Sequence, residues 1–181
     1  MPSVFTHAVA ALALGTALLP RGTGRRPWLL GVACAVLPDI DVVAFAFGVP
    51  YSAMLGHRGL SHSILFALLL SALVTALAFR TGQWTGQRPR IWLFLFAATA
   101  SHGILDAFTN GGLGIAFFAP FSAARYFFPL TPIEVSPIVH GFFSERGVRV
   151  LASEMVWVWT PALVLIAFSI GVRRLYARHP S

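Results

Sequence analysis

The sequence predicts an all-α polytopic membrane protein: about five transmembrane helices in one bundle, with a long loop closing one end. Three observations carry that reading. Only 10% of the 181 residues are charged and 57% are hydrophobic, with a mean hydropathy of +0.77, whereas soluble domains are about 25% charged. The apolar residues gather in five runs, at 4–19, 28–47, 63–79, 91–108 and 155–172, close to the roughly 17–25 residues that a spanning helix needs. The thirteen basic residues are all arginine, and nine of them cluster in two alternate linkers and the C-terminal tail, while Arg58, Arg125, Arg146 and Arg149 are spread over the much longer connections. No internal repeat or low-complexity tract divides the chain, so residues 1–181 read as a single domain.

Each run has its own signature. The first has no basic segment before it, and Arg21, Arg25 and Arg26 follow it instead, so it is expected to stay as a span and not to be a signal peptide. The second contains Leu37-Pro38-Asp39-Ile40-Asp41. Pro38 removes a backbone donor and disfavours helix at Leu37, so a break or kink is expected; at membrane depth such a break is tolerated where it lines a cavity. The third follows a glycine-flexed polar turn, with Ser61 the expected N-cap and His62 the start of the helix. The fourth carries His102 and Asp106 inside an apolar stretch. Residues 109–154 are rich in phenylalanine, tyrosine and proline, which suits an outer-leaflet lid containing short interfacial helices, one of them near 142–154. The fifth run ends in Arg173, Arg174 and Arg178.

Charge then sets orientation. Arg21, Arg25, Arg26, Arg80, Arg88, Arg90, Arg173, Arg174 and Arg178 fall on one side of a five-span chain, which the positive-inside rule makes cytoplasmic, leaving the N-terminus outside. The net charge of +7 is too scattered between apolar runs to build a nucleic-acid-binding face; helix-end topology and contact with anionic lipid account for it better. The single cysteine, Cys34, supports no disulfide framework or thiolate cluster and reads as core filler.

The chemistry centres on His102 and Asp106. Four residues apart, they share a helix face, and ionisable groups at membrane depth read as functional. With the predicted topology and a rise of about 1.5 Å per residue, His102 lies roughly 16 Å and Asp106 roughly 22 Å from the cytoplasmic end of span four. Asp39 and Asp41 lie roughly 16–20 Å along span two in the same direction. His7 is near the outer end of span one, and His57 and His62 lie at the outer start of span three. All seven are expected at one depth, which points to one shared site. Asp39 and Asp41 would point about 200° apart on an ideal helix, so one is expected to bind metal and the other to support it. Asp39, Asp41 and His57 are the candidate catalytic groups. Arg58 and Arg125 are candidate partners for a substrate phosphate or carboxylate, with exposed loop cations as the plainer reading of Arg58. Asn110 is a possible ligand orienter or helix cap. Glu134, His140 and Glu145 are weaker candidates, with solvated loop residues the default.

Imidazole and carboxylate ligands without thiolate suit Zn²⁺, with Mn²⁺ or Fe²⁺ as alternatives, and the donor set is large enough for one or two ions. Two ions roughly 3.5–4 Å apart would activate water and stabilise the leaving oxygen of a phosphoester, with a free carboxylate taking the proton. Metal-dependent hydrolysis of a lipid or lipid-linked phosphoester is therefore the expected activity. The alternatives are a metal-ion transporter or metal-binding regulator, which would carry polar residues on through the inner half of the spans, and a structural protein stapled by its His/Asp set.

At these residues the sequence also resembles a known family. Thr6-His7, Leu-Pro-Asp-Ile-Asp (37–41), Gly-His-Arg-Gly-Leu-Ser-His-Ser (56–63), Ser-His-Gly-Ile-Leu-Asp (101–106) and Pro-Phe-Ser…Arg-Tyr-Phe-Phe-Pro (120–129) resemble the YdjM/YbcI-type inner-membrane metal-dependent hydrolases over nearly the whole chain. That resemblance implies hydrolytic chemistry without naming a substrate. The order of His and Asp residues is more distantly similar to the zinc-dependent phospholipases C and single-strand nucleases. That likeness implies His7, Asp39, His62, His102 and Asp106 as metal ligands. The later His…His-x-x-x-Glu ligands of that group have no equivalent after Asp106, so one or two metals are implied in place of three.

Overall fold

The chain's structure, a computed structural model, describes residues 1–80, 82–137 and 142–178. Among these the regular elements are helices: α1 (Val4–Leu18), α2 (Arg25–Val36), α3 (Ile64–Ala78), α4 (Arg88–Ala107), α5 (Glu145–Glu154) and α6 (Thr160–Arg178). A 3₁₀ segment, Leu37–Phe47, continues α2, and a π-helical turn, Met155–Trp159, joins α5 to α6, so the six helices form five rods. No β-strand occurs among the described residues; two isolated bridges, Thr109 with Ile133 and Ile115 with Tyr126, brace the loop after α4.

Helix α4 is the centre of the bundle, packed against α1, α2 and α3, while α6 joins through α1. Small residues set the spacing. A Cβ on Gly31 of α2 would lie 2.2 Å from the Phe94 ring of α4, and one on Gly15 of α1 would lie 2.7 Å from the Trp28 ring. Phe79, Ile91, Phe94, Leu95 and Ala98 are fully buried and fill the half of the bundle below the site. The outward faces are apolar too. Leu69, Leu73 and Leu77 on α3, and Leu163, Val164 and Phe168 on α6, are each more than half exposed. Stripes of this kind suit hydrocarbon and would be a large uncovered patch in water.

Two helical rods, Arg25–Phe47 with 23 residues and Glu145–Ala177 with 33, are long and apolar enough to cross a membrane by length and composition. The apolar α1 and α3 have 15 residues each, about 22 Å of helix against a hydrocarbon thickness of about 30 Å. Helix α4 has 20 residues but carries Arg88, Arg90, His102 and Asp106.

Three local expectations are refined or corrected. The break or kink expected at Pro38 takes the form of a change of register within one rod: α-helical bonding ends at Val36 and 3₁₀ bonding begins at Leu37, which keeps right-handed angles of φ −54° and ψ −38°. At the start of a new hydrogen-bonding register the missing N–H leaves nothing unpaired. Three residues per turn also bring Asp39 and Asp41 to about 120° apart around the axis. Ser61 is not the cap of the third helix. The helix begins at Ile64, and Ser63 Oγ accepts from Phe66 N at 3.1 Å. The last rod starts ten residues before the apolar run, at Glu145. Its π turn falls just before Pro161, which lacks the N–H that would close the α-helical register there.

Candidate metal centre

The side chains of the centre are brought in by five elements. His7 comes from the first turns of α1, Asp39 and Asp41 from the 3₁₀ segment, His57 and Arg58 from the loop before α3, His62 from a short 3₁₀ turn (Leu60–His62), and His102 and Asp106 from α4. Gly103 permits the meeting: a Cβ there would lie 2.8 Å from the carbonyl oxygen of His62. His7, His102, Asp106 and Arg58 are wholly buried; His62 and Asp39 are buried with traces of exposure.

Ligand atoms of Asp39, His62, His102 and Asp106 lie within 4.8 Å of one another. His102 Nε2 is 3.1 Å from His62 Nε2 and 3.2 Å from Asp39 Oδ1. His62 Nε2 is 3.5 Å from Asp106 Oδ2 and 3.8 Å from Asp39 Oδ1. The far nitrogens fix the tautomers. His102 Nδ1 is 2.7 Å from the Ala35 carbonyl, which only accepts, so Nδ1 carries the proton. His62 Nδ1 faces Asp41 Oδ2 at 3.2 Å and Ser61 Oγ at 3.0 Å. Because the Ser61 hydroxyl donates to Asp41 at 2.6 Å, it offers His62 a lone pair, and Nδ1 is protonated here too. With Nδ1 the donor in both rings, each Nε2 is left to face the same point, where it would offer a lone pair to a metal.

Asp39 and Asp106 aim there as well, and none of their four oxygens makes a hydrogen bond with the described residues. Apart from Arg58 Nε, 3.1 Å from Asp106 Oδ2, nothing cationic is held among these converging side chains, a costly arrangement for carboxylates in apolar surroundings that a metal ion resolves. In a tetrahedral site with bonds of about 2.0–2.1 Å, ligand atoms stand about 3.3 Å apart, comparable to the spacings found. The residues thus fit a divalent metal.

His7 stands just outside this set. Its ring stacks on His102 with centroids 3.7 Å apart, Nε2 is 3.7 Å from Asp106 Oδ1, and neither ring nitrogen has a hydrogen-bond partner among the described residues. Asp41 plays the supporting part. Its Oδ1 is 2.6 Å from His57 Nδ1, while Oδ2 accepts from Ser61 Oγ and from Arg58 N at 3.2 Å and faces His62. Asp41, His57 and His62 form a second group with metal-binding spacing that shares His62 with the first.

The two arginines hold the site instead of facing open space. Arg58 adopts φ 62°; its Nε is 3.1 Å from Asp106 Oδ2, Nη1 donates to the Gly111 carbonyl at 2.7 Å, and Nη2 to Thr109 Oγ1 at 2.9 Å. Arg125 donates to the carbonyls of Tyr51 and Ala53 through Nη2, and to those of His57, Arg58 and Gly114 through Nη1, at 3.1–3.4 Å. Both guanidinium groups, the expected substrate contacts, are thus engaged with protein partners: Arg58 with Asp106 and the 109–111 turn, Arg125 with the carbonyls of the 51–58 loop. Burial raises the pKa of Tyr51, whose phenol packs edge-on against His57 and stays protonated.

Among the remaining candidates, Asn110 Oδ1 accepts from Val135 N at 3.0 Å and pins the lid. Glu134 lies 3.7 Å from Arg149 on the surface, and Glu145 is exposed in the first turn of α5. His140 lies outside the described residues. Glu154 escaped the sequence reading. It is fully buried and receives Ser3 N, Ser3 Oγ (2.6 Å) and Thr6 Oγ1 (2.8 Å), so it closes the N-terminal turn of α1 beside His7. Its signal was available: it is an acid at the threshold of an apolar run.

Fold and site together define an all-helical membrane protein with a buried His/Asp cluster able to hold a metal ion. The chain belongs to the YdjM inner membrane protein family, which matches residues 1–179. It is 38% identical over 170 residues to the inner membrane protein YbcI of Escherichia coli (strain K12), covering 92% of this chain and 95% of that protein. No solved structure matches.

Proposed function

We propose that this protein is a membrane-bound, metal-dependent hydrolase that cleaves a phosphoester in a lipid or lipid-linked substrate at the outer face of the membrane. The observation that carries the reading is the convergence of His62 Nε2 and His102 Nε2, 3.1 Å apart, with Asp39 Oδ1 3.2 Å from the second and Asp106 Oδ2 3.5 Å from the first. A bound Zn²⁺ or Mn²⁺ would supply Lewis acidity toward a phosphoryl oxygen and a strong nucleophile from water at neutral pH. The protein's own residues do the rest. Asp41 orients His62, and its bond to His57 Nδ1 leaves His57 Nε2 to accept a proton. Arg58 keeps Asp106 in place.

The side chains of Asp39 and Asp41 retain 8% exposure and lie beside Ile40 and Val43, which are more than half exposed. An opening flanked by apolar residues suits a headgroup that approaches from the bilayer. In this reading all five rods cross the membrane or reach deep into it. The arginine-rich end is cytoplasmic, and residues 109–137 roof the centre outside. A transporter would need a polar path past the site; the tightly packed Phe79, Ile91, Phe94 and Leu95 argue against one.

The test is a hydrolysis screen of detergent-purified protein against phospholipids and lipid-linked phosphates, with and without chelator. Turnover that stops on chelation and returns with Zn²⁺ or Mn²⁺ is expected. Metal-replete protein that turns over no lipid phosphoester, or turnover indifferent to chelation, would overturn the proposal.

A further inference from the structure

At the end of the bundle away from the metal centre, the C-terminal turn of α1, the first turn of α4 and the last turns of α6 enclose a cleft of about 680 Å³. Arg90 on α4 is 12 residues from His102, about 18 Å along the helix, so the two places are separate. Three guanidinium groups, Arg21, Arg90 and Arg173, line the cleft together with Tyr176, and Leu18 and Leu93 contribute apolar wall. Arg173 is fixed: its Nη2 donates to the carbonyls of Ala17 (3.1 Å) and Leu19 (2.6 Å) at the end of α1. Arg21 and Arg90 are exposed and make no ion pair with the described residues.

No acidic side chain answers the charge here. All six acidic residues are accounted for elsewhere: Asp39, Asp41 and Asp106 at the metal centre, Glu134 in the lid, and Glu145 and Glu154 on α5. Helix α4 even opens with Arg88 and Arg90 and no acid in its first turn, as α2 opens with Arg25 and Arg26. Cations at a helix N-terminus oppose the macrodipole, so an anion seated there would relieve both. The positive-inside rule explains why arginines lie at this end, but not why three of them converge on one cleft with a greasy wall.

We propose that this cleft binds the phosphate of an anionic membrane phospholipid. Arg21, Arg90 and the pre-fixed Arg173 hold the phosphate oxygens, for which guanidinium forks are well matched. Leu18 and Leu93 lie against the upper part of the acyl chains, and Tyr176, about one turn nearer the end of α6 than Arg173, stands beside the headgroup, where aromatic residues with a polar tip are favoured.

The test is native mass spectrometry of the delipidated full chain in detergent, titrated with dioleoylphosphatidylglycerol. The wild type is expected to show one saturable adduct. Arg21→Gln with Arg90→Gln should weaken it at least tenfold, while Arg25→Gln with Arg80→Gln, which removes the same charge from the same end outside the cleft, should change it less than twofold. Equal loss in both double variants would overturn the site in favour of diffuse attraction, and absence of any saturable adduct would overturn it outright. Dioleoylphosphatidylcholine should bind weakly; equal binding would contradict selection for an anion. Inorganic phosphate at the same concentration should not displace the lipid; if it binds as tightly, the ligand is a free anion and the lipid assignment fails.

Discussion

Asp41→Asn separates a residue that holds a ligand from one that is a ligand. The carboxylate of Asp41 takes donors on both oxygens: His57 Nδ1 at 2.6 Å on Oδ1, and Ser61 Oγ at 2.6 Å, Arg58 N at 3.2 Å and His62 Nδ1 at 3.2 Å on Oδ2. An asparagine of the same shape can satisfy only one of the two sides. Its NH₂ must face either His57 Nδ1–H or the His62 and Ser61 side, donor against donor. On the His62 side the cheapest escape is the other tautomer of that imidazole, which puts a proton on Nε2, where the metal lone pair belongs. Losing the carboxylate partner of a metal-binding histidine costs about 10–100-fold in metal affinity, equivalent to about 1.4–2.7 kcal/mol. Asp39→Asn removes a donor that points at the centre with both oxygens unpaired, and should cost more. The assay is competition of detergent-purified variants against a chromogenic zinc chelator. Unchanged affinity in the Asp41 variant, or a loss as complete as that of the Asp39 variant, would refute the division of labour.

Gly31→Ala drives a Cβ to 2.2 Å from the Phe94 ring and should destabilise the bundle by about 1–3 kcal/mol. The loss should appear as a lower melting temperature in detergent and be partly restored by Phe94→Leu. Glu154→Ala strips the acceptors from Ser3 and Thr6 at the buried start of α1 and should cost about 2–4 kcal/mol of stability. A melting temperature equal to the wild type would show that this acid holds nothing. A reporter at the C-terminus is expected to score cytoplasmic from the arginine distribution, and an extracytoplasmic signal would reverse the proposed sidedness.

The convergence of the site was legible because helix geometry turns sequence distance into depth. His102 and Asp106, one turn apart, do face a common point, and the run-by-run placement of His7, Asp39 and His62 at one level agrees with distances of 3.1–3.8 Å between partners. Apolar runs likewise fall on all five rods, because both the packed and the outward faces of these helices are apolar. The parts that depend on backbone groups were not legible. Arg125 donates to five backbone carbonyls, Ala35 orients His102 through its carbonyl, and Arg58 ties Asp106 to the Gly111 carbonyl; such acceptors leave no mark on residue type. The choice between Asp39 and Asp41 also lay beyond the sequence. It depends on the 3₁₀ register that the expected break at Pro38 takes as its form. Ser61 looked like a helix cap for the same reason: a hydroxyl serves a carboxylate or a backbone N–H equally well, and only the fold decides which is near.

The central claim, that this His/Asp cluster is a metal centre, is tested most directly by elemental analysis of the purified protein beside His102→Ala. His102 closes the cluster from α4 with Nε2 3.1 Å from His62 and 3.2 Å from Asp39. The wild type should carry one or two equivalents of a divalent transition metal per chain, and the folded variant should lose most of it. A wild type that elutes without metal and takes none up when Zn²⁺ or Mn²⁺ is supplied, or a variant with undiminished metal, would contradict the account.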